Sequence, residues 1–203
     1  RFARSLSHKG YQRAYILPNS FKSALIPWFA GVPERIGFTG EARHGIVNRR
    51  HHLDKLALPL MVERFAQLAE MPGSALKRPL PFPSLESTTK QHALTLAELN
   101  LCQPEKLVIF CPGAEYGPAK RWPAAHFARL ASLFSQAGVS VWLLGSGKDK
   151  QIGEEIVRLA TASSTLNLCG RTTLAQAIDL IALADHVVCN DSGLMHIASA
   201  LRR

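Results

Sequence analysis

Residues 106–145 read KLVIFCPGAEYGPAKRWPAAHFARLASLFSQAGVSVWLLG. The opening KLVIFC (106–111) is a short, continuous apolar run, as expected of a strand covered on both faces. PAAHFARLASLFSQAG (123–138) then sets Phe127, Leu130, Ala131 and Phe134 at helical spacing. Pro123 suits the first turn of that helix and Gly138 its C-cap. VSVWLLG (139–145) returns to an apolar strand. A strand, a helix and a second strand in this order form the unit from which parallel sheets are built.

The rhythm continues to the end of the chain. KDKQIGEEIVRLATA (148–162) repeats the helical pattern with Ile152, Ile156, Leu159 and Ala160, and TLNLCG (165–170) is a third short strand. Thr173 and Gln176 have the spacing of a capping box, ahead of a helix carrying Leu174, Ala177, Ile178 and Ile181. HVVCN (186–190) is a fourth strand, and DSGLMHIASAL opens a last helix. The second half therefore reads as a Rossmann-like α/β domain with a parallel sheet covered on both faces.

The first half is less regular but of the same class. YQRAYILPN (11–19) reads as strand then turn, and ERIGF (34–38) as a strand. SFKSALIPWFAG (20–31) reads as a helix that Pro27 kinks or ends, and LDKLALPLMVERFAQLAEM (53–71) as helix on both sides of Pro59. The proline-rich 72–87 has no periodicity and reads as a loop or linker, followed by a helical TTKQHALTLAELNL. The expected division is residues 1–98 and 99–203, two incomplete Rossmann-like domains. The N-terminus has no starting Met and the C-terminus stops inside a helical pattern, so the reading is a piece of a longer soluble chain.

Composition narrows the function classes. No apolar run reaches the ~18 residues of a membrane-spanning helix. Cys102, Cys111, Cys169 and Cys189 form no C-x-x-C pair, which speaks against a zinc site and for reduced core thiols. The net charge is +9, and residues 1–55 hold ten Lys and Arg against three acids, a local balance of +7. Such a field attracts an anionic partner, whether nucleic acid, an acidic membrane surface or an acidic glycan. A nucleic-acid module is disfavoured, because the basic segment lacks interleaved aromatics and any reader motif.

Ligands of a parallel α/β sheet bind at the C-terminal ends of its strands. Those ends carry PGAEYGPAKRW, GSGKDK, CGRTT and NDSGLMH, so these loops share one rim. In NDSGLMH, Asp191 or Ser192 can cap the last helix, Gly193 leaves room for a ligand, and the helix N-terminus favours an anion. His196 lies one turn inside and either faces that ligand or is a satisfied core histidine. GSGKDK is neither the P-loop nor G-x-G-x-x-G; its Asp149 either reaches a ribose hydroxyl or simply starts a helix. Thr172 lies beside a base or belongs to the cap of the next helix. Lys120 offers a mobile ammonium suited to phosphate oxygens, Arg121 is a second anion contact or a surface charge, and Trp122 is a packing anchor. The residues alone indicate a nucleotide or phosphorylated ligand and name no reaction.

PGAEYGPAKRWP, LLGSGKD, NLCGRTTLAQAIDLI and CNDSGLMHIASAL together resemble the nucleotide-binding domain of the ADP-heptose:lipopolysaccharide heptosyltransferases, glycosyltransferase family 9. YQRAYILPNSFKSALIPWFAGVPERIGFTGEARHG is similar to the later part of that family's N-terminal domain, so the resemblance covers nearly the whole chain. It implies a GT-B architecture, a pair of Rossmann-like domains. It also implies inverting transfer of L-glycero-D-manno-heptose from ADP-heptose to the first heptose of the lipopolysaccharide inner core, without a metal or other cofactor. Other core heptosyltransferases of the family, and a non-catalytic nucleotide-binding piece, are the alternatives. By the resemblance, Lys120 contacts phosphate, Asp191, Ser192 and Gly193 belong to the stretch that holds the donor's diphosphate and sugar, and His196 matches the nearby donor-site histidine. Thr172 meets adenine, Asp149 meets ribose, and Lys120 and Asp191 are the catalytic candidates. Arg35, Arg43, Arg49 and Arg50 are candidates for the acidic acceptor, at the cytoplasmic face of the inner membrane. The family's general base would precede Arg1, so these residues alone are expected to be inactive.

Overall fold

Both halves of the chain build parallel sheet, but from strands of different character. The computed structural model describes residues 2–114, 118–161 and 164–203, and divides into a unit ending at Pro81 and a unit from Phe82 to Arg203. The first unit contains α1 (Phe2–Ser7), β1 (Arg13–Ile16), α2 (Phe21–Phe29), β2 (Glu34–Phe38), β3 (Arg49–His51) and α3 (Met61–Gln67). Its strands are parallel in the order β1-β2-β3, with Arg13 opposite Glu34 and Ile36 opposite Arg49. Small apolar clusters hold it together: Ile16, Ala24 and Val47 in one, Ile36, Phe38 and Leu68 in another.

Local chemistry explains where this unit departs from the sequence reading. Helix α2 starts at Ser20, whose hydroxyl accepts from the Ser23 amide, and runs through Pro27 to Phe29. Its last turn closes through the Ala30 and Gly31 amides, which donate to Ile26 and Trp28, so the proline does not end the helix. The segment before Pro59 is not helical. Asp54 accepts from the amides of Leu56 and Ala57 at 2.8 and 3.1 Å, forming a side-chain turn, and Pro59 disfavours helical geometry at Leu58. Strand β3 has the sequence RRH, which no apolar pattern reveals.

The second unit contains α4 (Thr89–Glu98), β4 (Leu107–Cys111), α5 (Ala124–Gln136), β5 (Ser140–Leu143), α6 (Lys150–Leu159), β6 (Thr165–Asn167), α7 (Leu174–Leu183), β7 (His186–Cys189) and α8 (Gly193–Ala200). The expected βα alternation is present throughout, including the Thr173–Gln176 capping box. The sheet is parallel, in the order β6-β5-β4-β7. Strand β4 is buried along its whole length. Leu107, Ile109 and Cys111 pack into one core with Trp142, Leu180 and Ile181, while Val108 and Phe110 pack into another with Phe127, Val141, Leu143 and Ile156. Side chains alternate between the faces of a strand, and a sheet covered on both faces needs apolar residues at every position.

The division between units falls earlier than the expected boundary at 98/99. The proline-rich linker ends by docking on the second unit. Leu85 donates to the Ala200 carbonyl at 3.0 Å, and the Ser87 and Thr95 hydroxyls donate to Asp179 at 2.5 and 2.7 Å. Leu96 of α4 joins the core beside α7, so this helix belongs to the second unit. Asp179 is thus a buried carboxylate with two hydroxyl donors, and Asp179→Ala leaves both hydroxyls without their acceptor. It should destabilise the chain by about 1–3 kcal/mol, read as a lower urea midpoint with an unchanged slope. A midpoint equal to wild type would show that this junction contributes nothing.

Candidate functional site

Within the second unit the strand order reverses at β4. The chain moves outward through β5 and β6, then returns to pair β7 on the other side of β4. The loops leaving β4 and β7 therefore diverge, opening the crevice where such sheets bind ligands. A cavity of about 620 Å³ occupies this place, a size typical of small-molecule sites. All four loops reach it: Gly113, Ala114 and Arg121 after β4; Gly145, Ser146, Lys148 and Asp149 after β5; Thr172 and Thr173 after β6; Ser192 and Gly193 after β7. Its apolar lining comes from Cys111, Leu144, Leu174, Ala177, Leu194 and Ile197. Glu115, Tyr116 and Gly117 of the loop after β4 lie outside the described residues.

Ser192 stands at the N-cap position of α8 with extended backbone geometry, yet its hydroxyl makes no capping bond. That oxygen is buried and has no hydrogen-bond partner among the described residues. The first amides of a helix have no acceptor inside it, and the helix dipole adds positive potential there. The cavity mouth thus combines an unmatched hydroxyl with a helix N-terminus, an arrangement suited to phosphate oxygens.

Lys120 and Asp191 do not themselves line the cavity; they meet beside its mouth, next in sequence to the lining residues Arg121 and Ser192. The ammonium donates to the Asp191 carboxylate at 2.5 Å, across the gap between the β4 and β7 loops. Both side chains are substantially exposed, so solvent screens the pair and another anion can compete for the lysine. Lys120 holds the Asp191 carboxyl below its usual range, first through the hydrogen bond, then through its charge, with a smaller contribution from His196. His196 itself is exposed on α8 and does not line the cavity.

Asp149 sits deeper. Its carboxylate accepts from the amide and hydroxyl of Ser146 at 2.8 and 2.7 Å, so it does start a helical turn. It is also wedged against two glycines. A Cβ on Gly113 would lie 2.6 Å from this carboxylate, and one on Gly145 would lie 2.8 Å from the Asp149 Cβ. The glycines of the two loops are there to let the aspartate between them. Thr172 and Thr173 divide the two roles offered for CGRTT. Thr173 caps α7, accepting from the Gln176 amide at 3.2 Å, and Thr172 lines the cavity.

Lys148 is not singled out by the sequence, whereas Arg121 is, as an anion contact or a surface charge. Lys148 and Arg121 both line the cavity, and Arg121 also donates to the Ala114 carbonyl at 3.1 Å. Trp122 is the packing anchor expected, stacked on His126 and edge-on to Phe127. Cys111 contributes to the cavity floor as a neutral thiol, because burial pushes its pKa well up; burial likewise lifts Cys169 to about 12. Among the described residues, no group of three or more His, Cys, Asp or Glu side chains is placed to hold a metal ion.

The four arginines of the first unit separate into different roles. Arg43 is only 2% exposed, and its guanidinium donates to the carbonyls of Pro18, Phe38 and Gly40 and to Asn19. It fixes the loop after β2, and direct contact with an acceptor is not available to it in this arrangement. Arg35 donates to the carbonyls of Val32 and Ile46. Arg49 shares Glu34 with Arg13 at the N-terminal ends of the strands, away from the end where ligands of such sheets bind. Arg50 is exposed and lies beside His44.

The sequence profile of Glycosyltransferase family 9 (heptosyltransferase) matches residues 1–203. The chain is 46% identical to lipopolysaccharide heptosyltransferase 2 of Escherichia coli K12, over 100% of this chain and 61% of that protein. It is 44% identical to lipooligosaccharide heptosyltransferase 2 of Haemophilus ducreyi, over 95% of this chain and 58% of the relative. Among solved structures, E. coli ADP-heptose lps heptosyltransferase II superposes with a TM-score of 0.86 at 47% identity, covering 99% of this chain and 63% of that one. The chain thus spans about three fifths of the length of these relatives.

The Lys120–Asp191 contact makes a direct prediction. In Lys120→Met, the Asp191 carboxyl should titrate at higher pH than in wild type, approaching the unperturbed ~3.9, as followed by carboxyl carbon NMR. An unchanged midpoint would mean that the pair does not exist in solution.

Proposed function

The chain belongs to glycosyltransferase family 9, the heptosyltransferases, and from that membership we propose that its second unit is the donor site of a lipopolysaccharide heptosyltransferase. The donor is ADP-L-glycero-D-manno-heptose and the acceptor is the first heptose of the inner core. The observation that carries this reading is the cavity mouth. The Ser192 hydroxyl, without a partner among the described residues, and the start of α8 face an apolar chamber lined from four loops, and Lys120 adjoins the lining residue Arg121 without lining the chamber itself. That combination suits a diphosphate outside and a flat base within.

In this reading, Thr172 and the apolar lining receive adenine, Asp149 faces the ribose, and Asp191 and Gly193 adjoin the sugar. The acceptor oxygen attacks C1 of the heptose from the face opposite ADP. The bond from C1 to the diphosphate oxygen breaks through an oxocarbenium-like state, and its electron pair leaves on ADP. Lys120 and the amides of α8 stabilise the charge that develops there. The proton of the acceptor hydroxyl passes to a base that is not assigned to a residue of this chain. The reaction as proposed requires no metal.

The basic first unit is proposed to meet the phosphate- and carboxylate-rich inner core at the cytoplasmic face of the inner membrane. Its excess charge supports this. Of the four arginines, Arg50 is the contact carried forward, because its guanidinium is exposed. Among the described residues no helix is long and apolar enough to cross a membrane, so the contact proposed is peripheral.

In an enzyme of the relatives' full length built on this sequence, Lys120→Ala should lower kcat by roughly 10²-fold while changing the acceptor KM little. Turnover equal to wild type would remove Lys120 from the mechanism. Transfer should also survive excess EDTA; its abolition, with recovery on adding a divalent cation, would overturn the metal-free step.

A further inference from the structure

Asn190 immediately precedes Asp191 and is 8% exposed. Its side-chain amide donates to the Pro112 carbonyl at 2.8 Å, and its side-chain oxygen accepts from the Trp122 amide at 3.1 Å. Its own backbone amide donates to the Cys111 carbonyl at 3.3 Å. Pro112 begins the long loop after β4 and Trp122 ends it. One side chain therefore ties both ends of that loop to the first residue beyond β7.

We propose that Asn190 is a positioning residue of the donor site, setting the separation between Lys120 and the Asp191–Ser192–Gly193 turn across the cavity mouth. The inference rests on the donor-site reading above. Lys120 lies two residues before Trp122, and Asp191 directly follows Asn190, so both halves of the mouth are within two residues of this staple. Elsewhere the two loops leave β4 and β7 in diverging directions after the last strand pair, Cys111 and Cys189, and the Asn190 amide bond to the Cys111 carbonyl. The chemistry needs an amide. Its nitrogen serves a carbonyl and its oxygen serves an N–H, so a carboxylate satisfies only the second and a hydroxyl is too short to span both. A buried amide with both ends engaged also has one preferred orientation, which is what a fixed mouth requires.

The role differs from general stabilisation in what it moves. If Asn190 only added stability, its loss would lower the unfolding midpoint and leave the mouth unchanged in molecules that remain folded. If it sets the mouth, the folded variant itself has a displaced Lys120.

The test compares wild type, Asn190→Ala and Asn190→Asp on the 203-residue chain, with Asn190→Asp as the second variant should the alanine form not fold. The Asp191 carboxyl titration is followed by NMR and ADP binding by calorimetry, under conditions where circular dichroism shows each variant folded. The expected result is an Asp191 midpoint raised toward that of Lys120→Met, and ADP binding weakened at least about tenfold for Asn190→Ala, which corresponds to ~1.4 kcal/mol. Asn190→Asp, which keeps only the Trp122 link, should also bind ADP more weakly than wild type. A folded variant with wild-type Asp191 titration and wild-type ADP affinity overturns the proposal. Should wild type itself fail to bind ADP, the donor-site reading falls, and the Asp191 titration still decides whether Asn190 positions the Lys120–Asp191 pair.

Discussion

Strand β4 is hydrogen-bonded on both sides, to β5 and to β7, and everything functional in the second unit depends on that double pairing. Being central, β4 must be apolar on both faces, and LVIFC satisfies this with every residue buried. Because its two neighbours are reached in opposite directions along the chain, the loops at its exit and at the exit of β7 part from each other. The crevice they leave is where Gly113, Ser192 and Gly193 come together. A charge placed in β4 would remove the core and the site at once, since the same strand organises both.

The chemistry at the mouth follows from unequal satisfaction of polar groups. Asn190 and Asp149 are bound to protein partners and hold the loops. Ser192 is buried without one among the described residues, and Lys120 is held by a carboxylate in a solvent-screened pair. A diphosphate offers oxygens that suit both. In the proposed donor site those oxygens would compete with Asp191 for the lysine and accept from the Ser192 hydroxyl and the helix amides.

The sequence made the second unit readable because its elements obey simple periods. Buried strands appear as unbroken apolar runs, and α5, α6 and α7 show helical spacing. The first unit was less legible for physical reasons. Strand β3 is RRH, whose basic residues are tolerated because Arg49 pairs with Glu34 and Arg50 is exposed. Residues 53–58 carry helix-forming side chains, yet Asp54 captures two amides and makes a turn. The division falls inside the proline-rich segment, earlier than 98/99, because the end of that segment and α4 are bound to the second unit through Asp179 and Leu96. At the cavity, the four rim loops could be found from spacing, since each supplies lining residues. Asn190 could not, because an asparagine beside an aspartate has no pattern that reveals two partners at the ends of another loop. Arg43 was readable only as charge, and burial shows that its donors serve the backbone.

The central claim is that the second unit alone forms a nucleotide diphosphate site at the β4/β7 crevice. Backbone amide NMR of the 203-residue chain during ADP titration tests it most directly. The account predicts saturable shifts at Gly193, Leu194, Gly113 and Gly145, with the amides of β1, β2 and β3 unchanged. Shifts confined to the first unit, or none at the start of α8 at saturating ADP, would contradict it.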